Sequence, residues 1–85
     1  MKIWKYELKI LDTQKLKMPS GAKPLSVQWQ FNKLCLWMLV NEHNITEDRV
    51  VAIYGTGHPL PMTIGDYVGT FQTEGGSLVF HVFII

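Results

Sequence analysis

Hydrophobic and polar residues alternate along most of the chain, and this period of two predicts β-strands rather than helices. The first predicted strand covers residues 3–10, with its apolar side chains on one face and three charged side chains on the other: Lys5, Glu7 and Lys9. No stretch combines helical spacing with capping residues. The pattern therefore indicates an all-β chain.

Turn-forming residues divide the rest of the chain into six further strands. A two-residue hairpin turn is predicted at Asn32-Lys33, because Asn tolerates a positive φ. Segments 41–48 and 55–65 are predicted as loops. We expect one domain over residues 1–85, a small antiparallel sandwich or half-barrel of about seven short strands. The six strands are predicted over residues 15–18, 24–31, 34–40, 49–54, 66–73 and 77–85.

The predicted strand over residues 34–40 is apolar on both of its faces. Such an antiparallel strand lies centrally in the fold or is covered by another subunit. With 85 residues, the chain buries only about 60–65% of its unfolded surface. Assembly into a dimer or tetramer would stabilise such a small core, so we expect a homo-oligomer.

Composition excludes several classes of protein. A hydrophobic fraction of 47% with 18% charged residues excludes a disordered chain, and a single Cys excludes a disulfide framework. The three His fall in no metal-ligand spacing, so neither metal nor cofactor is predicted. The longest apolar run is seven residues and no secretory segment is visible, which predicts a cytoplasmic protein without a membrane partner.

Charge is distributed unevenly although the net charge is only +1. Positions 1–33 contain seven Lys and two acidic residues, whereas positions 34–85 contain one Arg and five acidic residues. Two interpretations remain open: a field that attracts anionic ligands, or Lys side chains that solvate the strands and prevent aggregation. Because Arg is so scarce, binding to DNA or RNA is not expected.

The most distinctive segment is Tyr54-Gly55-Thr56-Gly57-His58, which Pro59 follows. Its glycines allow close backbone approach to a ligand, and its hydroxyl and imidazole add polar groups. It lacks the third glycine and the helix of a dinucleotide-binding loop. Two interpretations remain: a rigid, proline-locked loop, or a loop whose amides, Thr56 and His58 contact an anionic or nucleotide ligand.

Catalysis is not predicted. No Ser/His/Asp arrangement with a nucleophile elbow occurs, and the acidic residues are scattered. His81 interrupts an apolar strand, a position typical of a hydrogen-bonded structural histidine. Aromatic rings beside cations instead favour binding of bases and phosphates. The candidates are Trp4, Tyr6 and Trp37 as stacking or interface residues, and Lys5 and Arg49 as phosphate partners.

Five sequence blocks, taken together and in their order along the chain, resemble a widespread family of short phage and prophage proteins long catalogued as being of unknown function. G-T-G-H-P and L-V-F-H-V-F are the most specific parts of the pattern. The blocks are I-W-K-Y at 3–6, C-L-W at 35–37, I-Y-G-T-G-H-P at 53–59, Y-V-G-T-F-Q at 67–72 and G-S-L-V-F-H-V-F at 76–83.

The resemblance implies an immune-evasion protein of the kind called a nucleotide sponge, acting in the cytoplasm of the infected bacterial host. Such a protein sequesters a cyclic dinucleotide of CBASS defence, such as 3',3'-cGAMP, without cleaving it, in pockets between subunits. One departure stands out: residues 41–52 keep only Arg49 as a cation, which puts a phosphate contact there in doubt. The alternatives are a protein-binding module that caps a host or phage protein and a small virion or assembly protein.

Overall fold

Two antiparallel sheets packed face to face form the protein in the computed structural model, which describes all 85 residues. One sheet has the order β1-β4-β3 and the other the order β2-β5-β7-β6. The sheets do not close into a barrel, so the predicted all-β sandwich is confirmed. The elements are β1 (Lys2–Leu8), β2 (Thr13–Pro19), β3 (Lys23–Gln30), β4 (Lys33–Val40), β5 (Thr46–Gly55), β6 (Asp66–Thr73), a 3₁₀ turn (Glu74–Gly76) and β7 (Leu78–Ile84).

The core lies between the two sheets and is formed by alternate residues of the central strands. From β4, Leu36 and Met38 are completely buried, and Cys35 on the opposite face is buried as well. This confirms that the doubly apolar strand lies centrally. No helix of the protein is both long enough and apolar enough to cross a membrane. The inward-facing core includes Leu34, Leu36, Met38, Val40, Val51, Ile53, Val82 and Ile84.

Strands β3 and β6 join the two sheets along one side. A Cβ atom at Gly69 would lie 2.7 Å from the Val27 Cγ1 atom, so the backbones approach closely there. The Trp29 indole donates a hydrogen bond from Nε1 to the Gln72 carbonyl over 2.8 Å. Its ring meets that of Phe71 edge-on at 5.8 Å. These contacts fix the four-stranded sheet relative to the three-stranded one.

Most strands begin or end one to three residues from the predicted positions, and at two of these boundaries side-chain contacts accompany the change. β1 ends at Leu8, since the Gln14 amide bonds both the N–H and the C=O of Lys9, at 3.1 and 2.6 Å. Ile10 therefore lies in the following turn. β5 begins at Thr46 within the predicted loop, where the carboxylate of Asp48 pairs with the ammonium of Lys17 at 3.0 Å.

The β3–β4 hairpin turn lies one residue earlier than predicted. Gln30 pairs with Lys33, so the central turn residues are Phe31 and Asn32, with φ values of 50° and 63°. Two positive φ values are the signature of a type I′ turn, which favours Asn or Gly at both places. The predicted Asn32-Lys33 turn was wrong, and the observed one holds a phenylalanine in left-handed backbone at a cost of roughly 1–2 kcal/mol.

Candidate functional site

A depression of about 250 Å³ opens on the outer face of the four-stranded sheet. Tyr54 on β5 pairs with His81 on β7, and Tyr67 on β6 pairs with Phe83 on β7. This register brings three aromatic rings and an imidazole together, because paired residues point to the same face. We call this feature the aromatic depression; its lining is Tyr54, Gly55, Thr56, Gly57, His58, Leu60, Tyr67, His81 and Phe83.

The aromatic rings support one another by edge contacts. Phe83 stands between the two tyrosines, with ring centroids 5.8 Å from Tyr54 and 5.5 Å from Tyr67, at interplanar angles of 63° and 62°. T-shaped pairs of this kind contribute about 0.5–1.5 kcal/mol beyond the area that they bury. The tyrosine rings are thereby held in place while Tyr67 remains 58% exposed.

The segment Gly55–His58 is a tight turn that ends β5. The His58 N–H donates to the Gly55 carbonyl over 3.1 Å, and the Thr56 N–H donates to the Val79 carbonyl over 3.0 Å. Gly57 has a φ of 85° in third position, as a type II turn requires. The Gly57 N–H makes no backbone hydrogen bond. The turn therefore presents a free amide beside the aromatic depression.

The imidazole of His58 lies against the backbone of Gly55. A Cβ atom at Gly55 would lie 3.0 to 3.4 Å from three atoms of that ring. A larger residue at position 55 would therefore require the exposed imidazole to move by a few tenths of an ångström. Two more depressions, of about 320 and 480 Å³, also have Gly55 and His58 in their linings. The exposed imidazole consequently stands where three depressions meet.

His81 is fixed by hydroxyl groups at both ring nitrogens. Its Nε2 atom lies 2.8 Å from the Thr56 hydroxyl, and its Nδ1 atom lies 2.9 Å from the Thr70 hydroxyl. The Thr70 hydroxyl lies in turn 2.6 Å from the Tyr67 hydroxyl. The Thr56 hydroxyl donates its hydrogen to the Val79 carbonyl over 3.2 Å and therefore accepts from the Nε2–H of His81, whereas the Thr70 hydroxyl can donate to Nδ1 or accept from it. The predicted hydrogen-bonded histidine is therefore also part of the site.

All five residues of the distinctive turn line the aromatic depression. Sequence reasoning missed Leu60, Tyr67 and Phe83 as site residues and gave His81 only a structural role. A signal for part of this existed, because alternation along β7 places His81 and Phe83 on one face. A bulge between Tyr67 and Gly69 shifts the register of β6, so Tyr67 could not be placed by alternation.

Four other candidates lie on the three-stranded sheet and not in the aromatic depression. Trp4 and Tyr6 pair with Met38 and Leu36, so they share the inner face with the core. The Tyr6 hydroxyl is buried without a hydrogen-bond partner, and burial raises the pKa of Tyr6.

The remaining two candidates of that sheet, Trp37 and Lys5, pair with each other on its outer face. The Lys5 ammonium donates a 2.7 Å hydrogen bond to the side-chain carbonyl of Gln30. Lys5 is therefore engaged on the far side of the molecule from the aromatic depression.

Arg49 is engaged by backbone carbonyls. Its Nε atom donates to the Ile85 carbonyl over 2.8 Å, and its Nη1 atom donates to the Ala22 carbonyl over 3.0 Å. Its guanidinium thus connects the end of β7 with the start of β3. Among the lining residues of the aromatic depression, no Lys, Arg, Asp or Glu occurs. No cluster of three or more His, Cys, Asp or Glu side chains suited to a metal ion is present.

Comparison with known proteins gives one match. The family model described as "Domain of unknown function (DUF7352)" matches residues 1–84. No curated protein and no solved structure matches the chain.

Proposed function

Because the chain belongs to the DUF7352 family, a domain of unknown function, we propose a function from its site: it binds and sequesters a cyclic dinucleotide, such as 3',3'-cGAMP, without cleaving it. The aromatic depression carries the proposal, since aromatic rings, two imidazoles and a free amide converge there. Together with the resemblance to phage nucleotide sponges, this gives a phage immune-evasion protein acting against CBASS in the cytoplasm of the infected bacterium.

Ring stacking is the first interaction that the depression offers to a nucleotide. Base–aromatic stacking contributes about 1–3 kcal/mol per base. The rings of Tyr54 and Tyr67 are held by Phe83, so little side-chain freedom is lost when a base binds. The hydroxyls of Thr56 and Tyr67 are hydrogen-bonded within the site, but each oxygen keeps a lone pair that can accept a hydrogen bond from an amino group of that base.

The size of the depression matches one base rather than a whole cyclic dinucleotide. Its volume of about 250 Å³ is below the roughly 300–1,000 Å³ of sites for drug-sized ligands. The two adjoining depressions share His58 with it. In the proposal one base enters the aromatic depression, and the sugar–phosphate ring and the second base extend over the turn.

In this proposal the turn at residues 55–58 binds the phosphates. Arg49 and Lys5 do not bind them, because both are hydrogen-bonded to other parts of the protein. The Gly57 N–H is free to donate, and the exposed imidazole of His58 follows it in the chain, whereas both ring nitrogens of His81 are already hydrogen-bonded. No carboxylate lines the depression, so a doubly negative ligand meets no charge repulsion there. Backbone amides of this kind are common phosphate ligands.

The proposed protein is a homo-oligomer, which its unusual surface supports. Only 16 of the 85 residues are buried, and fourteen large hydrophobic side chains are exposed. Exposed apolar side chains are typical of association sites where they lie side by side in one patch. Association would also stabilise a core that is small for the length of the chain.

Titration calorimetry against a panel of cyclic di- and trinucleotides tests the proposal. We expect saturable heat for at least one cyclic dinucleotide, and intact nucleotide by chromatography after the protein is denatured. If binding heat is measured but a linear nucleotide is recovered, the protein is a nuclease and not a sponge. Absence of heat for every nucleotide at micromolar protein would refute nucleotide binding altogether.

A protein-binding module that caps a host or phage protein is the second candidate, and the loop after the turn favours it. Leu60 and Met62 are exposed there, next to Pro59 and Pro61. Exposed apolar side chains on a proline-stiffened loop are suited to a protein surface. Met62→Ser would weaken such a complex and leave nucleotide affinity unchanged, which separates the two candidates.

A further inference from the structure

Phe31 has two unfavourable properties at once. It lies at the tip of the β3–β4 hairpin with a φ of 50°, a conformation that bulky residues rarely adopt. Its side chain is 89% exposed, so the strain gives it no packing within its own chain. Strained backbone of this kind persists mainly where it serves a contact or a function. The observation therefore points to something outside the chain that takes up the phenyl ring.

A cleft of about 290 Å³, with four apolar and three polar residues in its lining, opens directly beside that hairpin tip. Its floor is formed by the buried residues Leu8 and Leu34, and its walls by the half-exposed Ile10 and Trp29. Asn32 and Lys33, the next two residues after Phe31, belong to its rim. We call it the end cleft; Phe31 of the same chain does not line it.

We propose that two copies of this chain pair through the end cleft, with Phe31 of each copy inserted into the end cleft of the other. Phe31 and the end cleft adjoin each other on one surface. A two-fold axis between them therefore satisfies both contacts at once and closes the assembly at two copies. The cleft has room for a phenyl ring, and its lining of Leu, Ile and Trp is chemically matched to one.

The charges at the rim fit the same pairing. Lys33 Nζ lies 3.2 Å from the Glu7 carboxylate at the edge of the cleft. Each hairpin tip thus carries a cation next to Phe31, and each cleft carries a carboxylate at its rim. Because the two charges pair within each chain, the rim carries no uncompensated charge that would repel a second copy.

The available apolar surface is consistent with a small dimer interface. A buried phenylalanine removes about 150–250 Å² from water. Two inserted rings supply about 300–500 Å² of the roughly 1,200 Å² that a weak specific interface needs. Ile10, Leu11 and Trp29 of both copies are exposed at the same end and can supply the remainder. We therefore expect micromolar rather than nanomolar self-association.

Light scattering during size exclusion, with no nucleotide present, tests this pairing. We expect the wild type at about 100 µM to have twice the 9.8 kDa chain mass. Phe31→Asn should weaken this association at least 100-fold. Because Asn accepts left-handed backbone, the same variant should unfold at a higher denaturant concentration than wild type when both are dilute monomers. Loss of association with a more stable fold is a combination that simple misfolding cannot produce.

Ile10→Lys places a charged side chain in the lining of the end cleft. This variant should also have the mass of a monomer. Ile45→Asn is the matched control, because Ile45 is 82% exposed but lies in the loop at the opposite end of the sandwich. Its mass should equal that of wild type. A monomeric wild type at about 100 µM would overturn the pairing, as would an assembly that Phe31→Asn leaves unchanged. Neither result depends on whether the protein binds a nucleotide.

Discussion

The two outer faces of the sandwich differ although both belong to antiparallel sheets of similar composition. On the three-stranded sheet, hydrogen bonds and an ion pair between long polar side chains span the strands, so Cys35 is only 2% exposed. On the four-stranded sheet, no such layer covers the tyrosines, and Tyr67 remains 58% exposed. The polar contacts of the first face join Lys5 to Gln30, Lys33 to Glu7 and Gln28 to Ser26.

Aromatic content alone therefore does not identify a binding face. Trp37 has a larger ring than Tyr67, but it lies among polar side chains that bond one another. Around Tyr67, the neighbouring polar groups are short hydroxyls and an imidazole, which bond one another. Short polar groups leave the ring faces accessible. The difference between the covered and the open outer face can be tested by substitutions, which follow from the largest expected effect to the smallest.

Replacing one imidazole on the open face should have the largest effect. We expect His58→Ala to weaken cyclic dinucleotide binding at least tenfold, or about 1.4 kcal/mol, because it removes the ring beside the free Gly57 amide. Lys5→Ala on the covered face is the matched control and should bind as wild type does. Calorimetry measures both, and equal losses in the two variants would remove the distinction between the faces.

Breaking the hydroxyl contacts of His81 should have the next largest effect. Thr70→Val removes the hydroxyl that is hydrogen-bonded to the Nδ1 atom of His81, while it keeps the shape of the side chain. We expect a loss of about 1 kcal/mol in the free energy of unfolding, together with weaker binding. Ser26→Ala, which removes a hydrogen bond on the covered face, should cost under about 0.5 kcal/mol. Denaturant titration compares the two, and a reversed order would contradict the description of the site.

Tyr6→Phe should change stability in the opposite direction. The Tyr6 hydroxyl is buried and unpartnered, so its removal relieves a desolvation cost. We expect the free energy of unfolding to rise by about 0.5–1 kcal/mol, with nucleotide affinity unchanged. A marked loss of affinity in this variant would mean that the inner face of the three-stranded sheet contributes to the site after all.

The smallest effect is expected at Glu42, far from both outer faces. A backbone hydrogen bond, with the N-terminal ammonium and Lys2 as further contributors, lowers the pKa of Glu42 below its usual range. Its stabilisation is present above the pKa of the unfolded chain and is lost as pH falls through the lower folded pKa. Denaturation measured from pH 6 to pH 3 should show a slightly smaller decrease for Glu42→Gln than for wild type. Identical curves would mean that this carboxylate contributes nothing to the fold.

The sequence predicted the fold more fully than the site, for physical reasons. Alternation identified the strands and the shared face of His81 and Phe83, because side-chain direction along a strand is local information. It could not assign Trp37 to a covered face, since that depends on contacts with Lys5 and Gln30 across two strand pairings. Arg49 could not be recognised as a backbone partner because Ala22 and Ile85 are distant in sequence.

Tyr67 could not be placed either, because the bulge beside it shifts the register of β6 by one residue. The turn at 55–58 was found because its Gly and His residues are unusual within a short segment. Local signals thus sufficed for the turn, whereas its surroundings depend on long-range pairing.

An NMR titration of the isotope-labelled protein with 3',3'-cGAMP tests the open face most directly. Amide and aromatic signals of Tyr54, Gly57, His58, Tyr67 and His81 should shift together and saturate. Signals of Lys5, Gln30 and Trp37 should stay unchanged. Shifts that centre on Lys5 and Trp37, or a saturating excess of nucleotide that moves no signal of the aromatic depression, would contradict the assignment of the binding site to the four-stranded sheet.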